Sequence, residues 1–167
     1  MKKTVRYMLG LVMTLAMTVP TLTSCDSDTL NEFAALTYLS WGTGEWVPVA
    51  FKAGGATTYT DWTTHLNSQT DLSAADRKRM EETKLKFSSD RTTEFFGMFD
   101  NFVKMSFSVK DDLLVYTYKD VKVLEIKVDD LNVTSDNEAT GYFTFYYYDK
   151  GTVDFSYQLQ MKRLKAN

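Results

Sequence analysis

The stretch Thr152-Val153-Asp154-Phe155-Ser156-Tyr157-Gln158-Leu159-Gln160-Met161-Lys162-Arg163-Leu164 decides the fold. Successive side chains of an extended chain point to opposite faces. Val153, Phe155, Tyr157, Leu159 and Met161 therefore share one face, and Asp154, Ser156, Gln158, Gln160 and Lys162 the other. That period of two marks a strand with one buried side. Just before it, Asp149-Lys150-Gly151 is turn chemistry. Residues 139–148 alternate in the same way, with Phe143, Phe145 and Tyr147 opposite Tyr142, Thr144, Tyr146 and Tyr148. Two strands joined by so short a turn must run antiparallel.

The same reading continues toward the N-terminus. Residues 129–138 read as a polar loop. Residues 121–128 form a strand whose phase slips between Val123 and Leu124, the mark of a bulge. Residues 113–118 and 102–109 are strands, the latter placing Val103, Met105, Phe107 and Val109 together. Residues 92–99 are aromatic on both sides of Phe95-Phe96, and residues 83–87 put Leu85 and Phe87 on one face. A helix over 72–82 precedes these, opened by Ser73 with Asp76 three residues later in the manner of a capping box. Residues 57–69 are polar, with Trp62 and His65 inside them. The first strand, 46–51, alternates around Val47, Val49 and Phe51, and Pro48 marks it as an edge or a bulge.

Eight strands with one apolar face each imply an all-β domain over residues 45–167. An eight-stranded antiparallel up-and-down barrel, with one short helix inserted after the first strand, would remove the exposed edges. A two-sheet β-sandwich would satisfy the alternation equally.

The N-terminus has a different character. Lys2, Lys3 and Arg6 precede an apolar run from Tyr7 to Val19, and no acid appears before Asp26. A charged start, a short apolar run and a small-residue ending make a secretory leader over residues 1–24. The ending Leu22-Thr23-Ser24-Cys25 resembles the bacterial lipobox. That resemblance implies that Cys25 is diacylglycerylated and becomes the mature N-terminus, a firm membrane anchor. Cys25 is also the one cysteine of the chain, so no disulfide framework and no zinc site of paired thiolates can form. Residues 25–44 then serve as lipidated N-terminus and tether, ending in a short helix over 31–39. Acidic residues just after the cysteine resemble the surface-export signal of Bacteroidota lipoproteins. Asp28-Thr29-Leu30 resembles their O-glycosylation motif, with Thr29 as the acceptor.

Taken together, the leader, Gly44-Glu45-Trp46 beside the first strand, the meander and the last strand with its basic end resemble the lipocalin-like lipoproteins of Bacteroidota. The resemblance covers residues 41–164 in outline. It implies a lipid-anchored protein of the outer membrane, with surface exposure left open, whose Arg163 packs over Trp46. The helix over 72–82 follows the first strand, where classical lipocalins place theirs after the last, and this departure leaves pocket shape and ligand class open.

Chemistry is sparse. The leader holds three of the nineteen Lys and Arg residues and none of the acids, so residues 25–167 carry 16 basic and 22 acidic side chains, a net charge of −6. That excess argues against a nucleic-acid partner, which needs a basic face. His65, the one histidine, has no triad or metal motif around it and reads as a loop histidine. Glu81-Glu82, Asp111-Asp112 and Asp129-Asp130 read as solvated helix-end and turn residues. No catalytic residues, cofactor or metal site are expected. Phe95, Phe107, Phe143, Phe145, Phe155 and Tyr157 remain as inward-facing candidates that either line a ligand cavity or fill the core. Outward Tyr142, Tyr146 and Tyr148 form either a contact stripe or a surface covered by the tether or by the 57–82 segment. Two functions follow: a binding module for a small apolar ligand or a glycan, or an accessory lipoprotein that docks on an envelope protein and holds no small ligand.

Overall fold

The structure, a computed structural model, describes residues 36–135 and 138–165. The leader, Cys25, Thr29 and most of the tether lie outside the described residues. Of the helix expected over 31–39, residues 36–40 are described and helical.

The strands are β1 (Glu45–Ala53), β2 (Thr60–Asp61), β3 (Lys84–Phe87), β4 (Thr92–Phe96), β5 (Lys104–Lys110), β6 (Leu113–Tyr118), β7 (Val121–Ser135), β8 (Glu138–Asp149) and β9 (Thr152–Arg163). They form one antiparallel sheet in the order β2-β1-β3-β4-β5-β6-β7-β8-β9, so the two-sheet alternative does not hold. Strand β1 also pairs with β9, from Trp46↔Arg163 to Ala53↔Tyr157, and the sheet thereby returns on itself as a ring. On its other edge β1 pairs with β3 at Glu45 and Trp46, and with β2 at Ala50 and Phe51. The expected count of eight becomes nine because β2, two residues long, lies in the polar 57–69 segment.

Two helices, α1 (Trp62–Ser68) and α2 (Ala74–Glu81), join β2 to β3. Ser73 caps α2 as its sequence suggests, its hydroxyl accepting from the Asp76 amide at 3.1 Å. Helix α1 was not legible: it is short and mostly polar, but Asp61 caps it by accepting from the Thr64 amide at 2.9 Å, and Trp62 and Leu66 anchor it in the core. Arg77 ties the two helices together by donating to the Leu66 carbonyl at 2.8 Å.

Three bulges set which side chains face inward. At Pro48 the register shifts before Ala50, so Trp46, Pro48 and Phe51 face inward, and Val47 and Val49 do not. In β7, Val123 is the extra residue, where the phase slip predicts it. In β9, Asp154 is the extra residue, which turns Val153 outward while Phe155 stays inward opposite Tyr147. Two boundaries also move. The strand expected over 92–99 stops at Phe96, and a 3-10 turn, Gly97–Phe102, carries the chain into β5 and leaves Val103 exposed rather than on the inner face. The loop expected over 129–138 is largely strand, because bulges between Asp129 and Asn132 and between Val133 and Ser135 absorb residues that break the alternation.

The base of the ring is closed by residues 36–40. The Trp46 indole N–H donates to the Leu39 carbonyl at 2.9 Å, and Arg163 donates to the Tyr38 carbonyl. The Arg163 guanidinium lies 5.1 Å above the Trp46 ring, as the resemblance implies. Gly44 immediately precedes β1 at φ +64, and a Cβ there would sit 2.2 Å from the Phe87 carbonyl oxygen. A glycine before Glu45-Trp46 is therefore a steric requirement. Replacing Arg163 with Ala removes a buried charge-assisted hydrogen bond and a cation–π contact. The expected loss is about 2–4 kcal/mol in urea denaturation, and an Arg163→Ala protein as stable as wild type would show that the base lock contributes nothing.

Candidate functional site

Strand direction places Ala53, the β6–β7 and β8–β9 turns, α1 and the 3-10 turn at the end opposite residues 36–40. This end is the mouth of the ring.

Below the mouth, the inner-face aromatics touch one another. Phe143 packs on Trp46 and Phe87 with ring centroids 5.2 and 6.2 Å apart. Phe107 meets Phe87 and Tyr116 at 6.3 and 5.7 Å. Phe95 meets Tyr116 at 5.4 Å, and Phe145 stacks on Tyr157 at 5.1 Å. Phe99, carried by the 3-10 turn, lies between Phe95 of β4 at 6.1 Å and Phe145 of β8 at 5.0 Å. Those strands stand four places apart around the ring, so one side chain spans the interior. Gly97 makes that insertion possible: its φ is +72, and a Cβ there would meet Thr83 Cα at 2.4 Å. Of the six aromatic candidates, Phe95, Phe107, Phe143, Phe145 and Tyr157 lie in this buried cluster, and Phe155 does not.

The outward tyrosines Tyr142, Tyr146 and Tyr148 are half-buried, and Tyr142 and Tyr148 are engaged by neighbouring side chains. Tyr59, from the segment after β1, packs on Tyr142 at 5.3 Å and donates to Gln158. Tyr148 donates to Glu125, and the Lys122 ammonium, 2.8 Å from Glu125, lies 4.1 Å above the Tyr148 ring. The covering of Tyr142 comes from the 57–82 segment, one of the two readings its sequence left open.

The mouth itself is apolar and open. Six large apolar side chains are exposed among the described residues, and five of them, Val103, Tyr118, Val121, Val153 and Phe155, belong to this end. Tyr118 pairs with Val121 two positions above inward Tyr116, which puts both on the axis side of the rim. Phe155 is also axis-facing yet 50% exposed. It stacks on Tyr147 with centroids 4.4 Å apart and planes 12° apart. Tyr147 continues to Tyr157 at 5.7 Å and to Phe102 at 5.8 Å. Tyr157 leads to Phe51 at 5.8 Å, on which His65 stacks at 4.0 Å. His65 thus belongs to α1 rather than to a loop, and its burial pulls its pKa below the ordinary value. Helix α1 covers the β1 side of the mouth and the 3-10 turn the β4 side, which leaves an aromatic shelf on β6 to β9.

The floor of the shelf carries two phenols. Tyr147 and Tyr157 hydroxyls lie 2.8 Å apart. Burial raises the Tyr147 pKa to about 12 and that of Tyr157 well above its usual value. Among the described residues no three His, Cys, Asp or Glu side chains converge to hold a metal ion. Phe155 could be proposed from alternation as an inner residue. Alternation places Tyr147 on the inner face as well, whereas Tyr118, Val121 and Phe102 lie at strand ends and in a 3-10 turn, which carry no periodic signal.

No family model, curated protein or solved structure matches the chain.

The buried phenols set an alkaline limit. Tyr147 and Tyr157 are neutral in the folded protein but titrate near 10 when unfolded. The unfolded chain therefore holds fewer protons above pH 10, and their stabilisation is complete below pH 10 and lost as pH rises through about 12. Urea midpoints should fall steeply between pH 10 and 12 in wild type and less so in Tyr147→Phe. Equal slopes in the two proteins would contradict the burial of this hydroxyl.

Proposed function

We propose that the chain is a lipid-anchored lipoprotein of the bacterial outer membrane and that its domain is a lipocalin-like barrel. It acts as a non-enzymatic binding module for a small apolar ligand or a glycan. The ligand sits on the aromatic shelf at the mouth rather than deep in the barrel. One observation carries this reading: Tyr118, Val121 and Phe155 face the barrel axis and remain exposed above an ordered stack of Phe102, Tyr147 and Tyr157. Exposed apolar patches on an otherwise well-packed domain mark contact sites. The lipobox-like Leu22-Thr23-Ser24-Cys25 supports the anchor. Residues 36–40, the described residues nearest to Cys25 in sequence, lie at the base.

The second reading is an accessory lipoprotein docked on an envelope protein through the same end. Val103 and Val153 favour it, since they carry the apolar rim outside the mouth.

Two measurements test these assignments. Labelled palmitate should enter the chain in its bacterial host and be absent from Cys25→Ser. Label in both proteins would remove the assignment of Cys25. The intact protein should bind either N-phenyl-1-naphthylamine or a neutral oligosaccharide, and Phe155→Ser should weaken that binding at least about tenfold, the loss of one stacked aromatic contact. Binding of neither probe, with a specific envelope protein retained by wild type and lost from Val103→Ser, Val153→Ser, would favour docking instead.

A further inference from the structure

The mouth reading leaves the ligand class open, and the chemistry of its floor narrows it. An acyl chain needs a long apolar channel, because its affinity grows with each methylene buried. Below the shelf, Phe99 and Phe145 stack at 5.0 Å and Phe145 and Tyr157 at 5.1 Å, so rings occupy that path. A flat ligand face, by contrast, finds Phe155, Tyr147 and Tyr157 in near-parallel planes, within 12° to 29° of one another.

The second observation is a pair of phenols that share a single hydrogen bond. Tyr147 and Tyr157 each hydrogen-bond only to the other among the described residues. One hydroxyl donates to the other, and the acceptor's own O–H is then unspent. Either hydroxyl can be the donor, so the unspent O–H belongs to Tyr157, which is more than nine-tenths buried, or to half-buried Tyr147. A ligand oxygen above the pair would accept that hydrogen. The charged residues of the two turns bordering the shelf, Lys119 with Asp120 and Asp149 with Lys150, are balanced in sign. They select neither anion nor cation.

We propose that the mouth binds one ring of a neutral sugar. Its C–H face stacks on Phe155, and one of its oxygens accepts a hydrogen bond from the Tyr147–Tyr157 pair. This rests on the binding-module reading of the mouth and specifies its ligand.

The test uses the full chain in detergent against an array of neutral oligosaccharides (glucans, mannans and xylans), with N-phenyl-1-naphthylamine as the apolar control. Near-ultraviolet circular dichroism checks the fold of each variant. The expected result is retention of at least one oligosaccharide. Phe155→Ala should weaken it about tenfold or more, and Tyr147→Phe, which keeps the ring and removes the hydroxyl, about three- to tenfold. Dye binding should survive Tyr147→Phe. Three outcomes overturn the proposal. If the dye binds in a Phe155-dependent way and no oligosaccharide does, the sugar is wrong and the binding mouth stands. If neither binds, the mouth reading falls with it. If an oligosaccharide binds equally to wild type, Tyr147→Phe and Tyr157→Phe, the phenol pair has no part in recognition.

Discussion

The pairing of β1 with β9 is the constraint on which the rest of the structure depends. It joins residues more than a hundred positions apart and pairs the first long strand of the meander with the last. An unpaired edge exposes a row of backbone donors and acceptors, and closure satisfies them internally. The same pairing sets Trp46 opposite Arg163, so the lock that caps the base follows from the register that closes the ring. Thr43 and Leu164 extend it, with the threonine hydroxyl donating to the Leu164 carbonyl at 2.9 Å.

Closure turns every inner face toward a common axis, and the space there must be occupied. Large rings from β1, β3, β4, β5, β6, β8 and β9 do this in edge and stacked contacts. The 3-10 turn adds Phe99 across the middle, and it can do so because Gly97 admits the close approach of Thr83. Thr83 in turn accepts from the Met98 amide at 3.0 Å, so the tight approach also satisfies a backbone group. A ring so filled has its open aromatic surface where the filling stops, at the mouth.

The bulges decide which side chains reach that surface. Strand side chains alternate strictly, and one extra residue exchanges the two faces beyond it. Asp154 turns Val153 outward and holds Phe155 over Tyr147. Val123 carries the axis-facing series of Leu124 and Ile126 on to Val121 at the rim. Pro48 brings Phe51 inward, where it meets both Tyr157 and His65. Each bulge is a local event whose effect is felt at the opposite end of a side chain stack.

Period-two alternation and short turns by themselves determined the existence of the strands from Lys84 onward, their antiparallel order and most of the inner residues, though not the end of β4 or the length of β7, because a half-buried strand records its burial in every second residue. Ser73 and Asp76 likewise announced α2, since a cap is a contact between near neighbours. The bulge at Val123 was visible as a slip in phase, whereas Asp154 hid within unbroken alternation. Only the tertiary structure decided the closure, the two-residue β2, the insertion of Phe99 and the gathering of Tyr118, Val121, Tyr147 and Phe155 at one rim. Each of these depends on contacts between segments far apart in the chain, and no local pattern of residues encodes where a distant strand will lie.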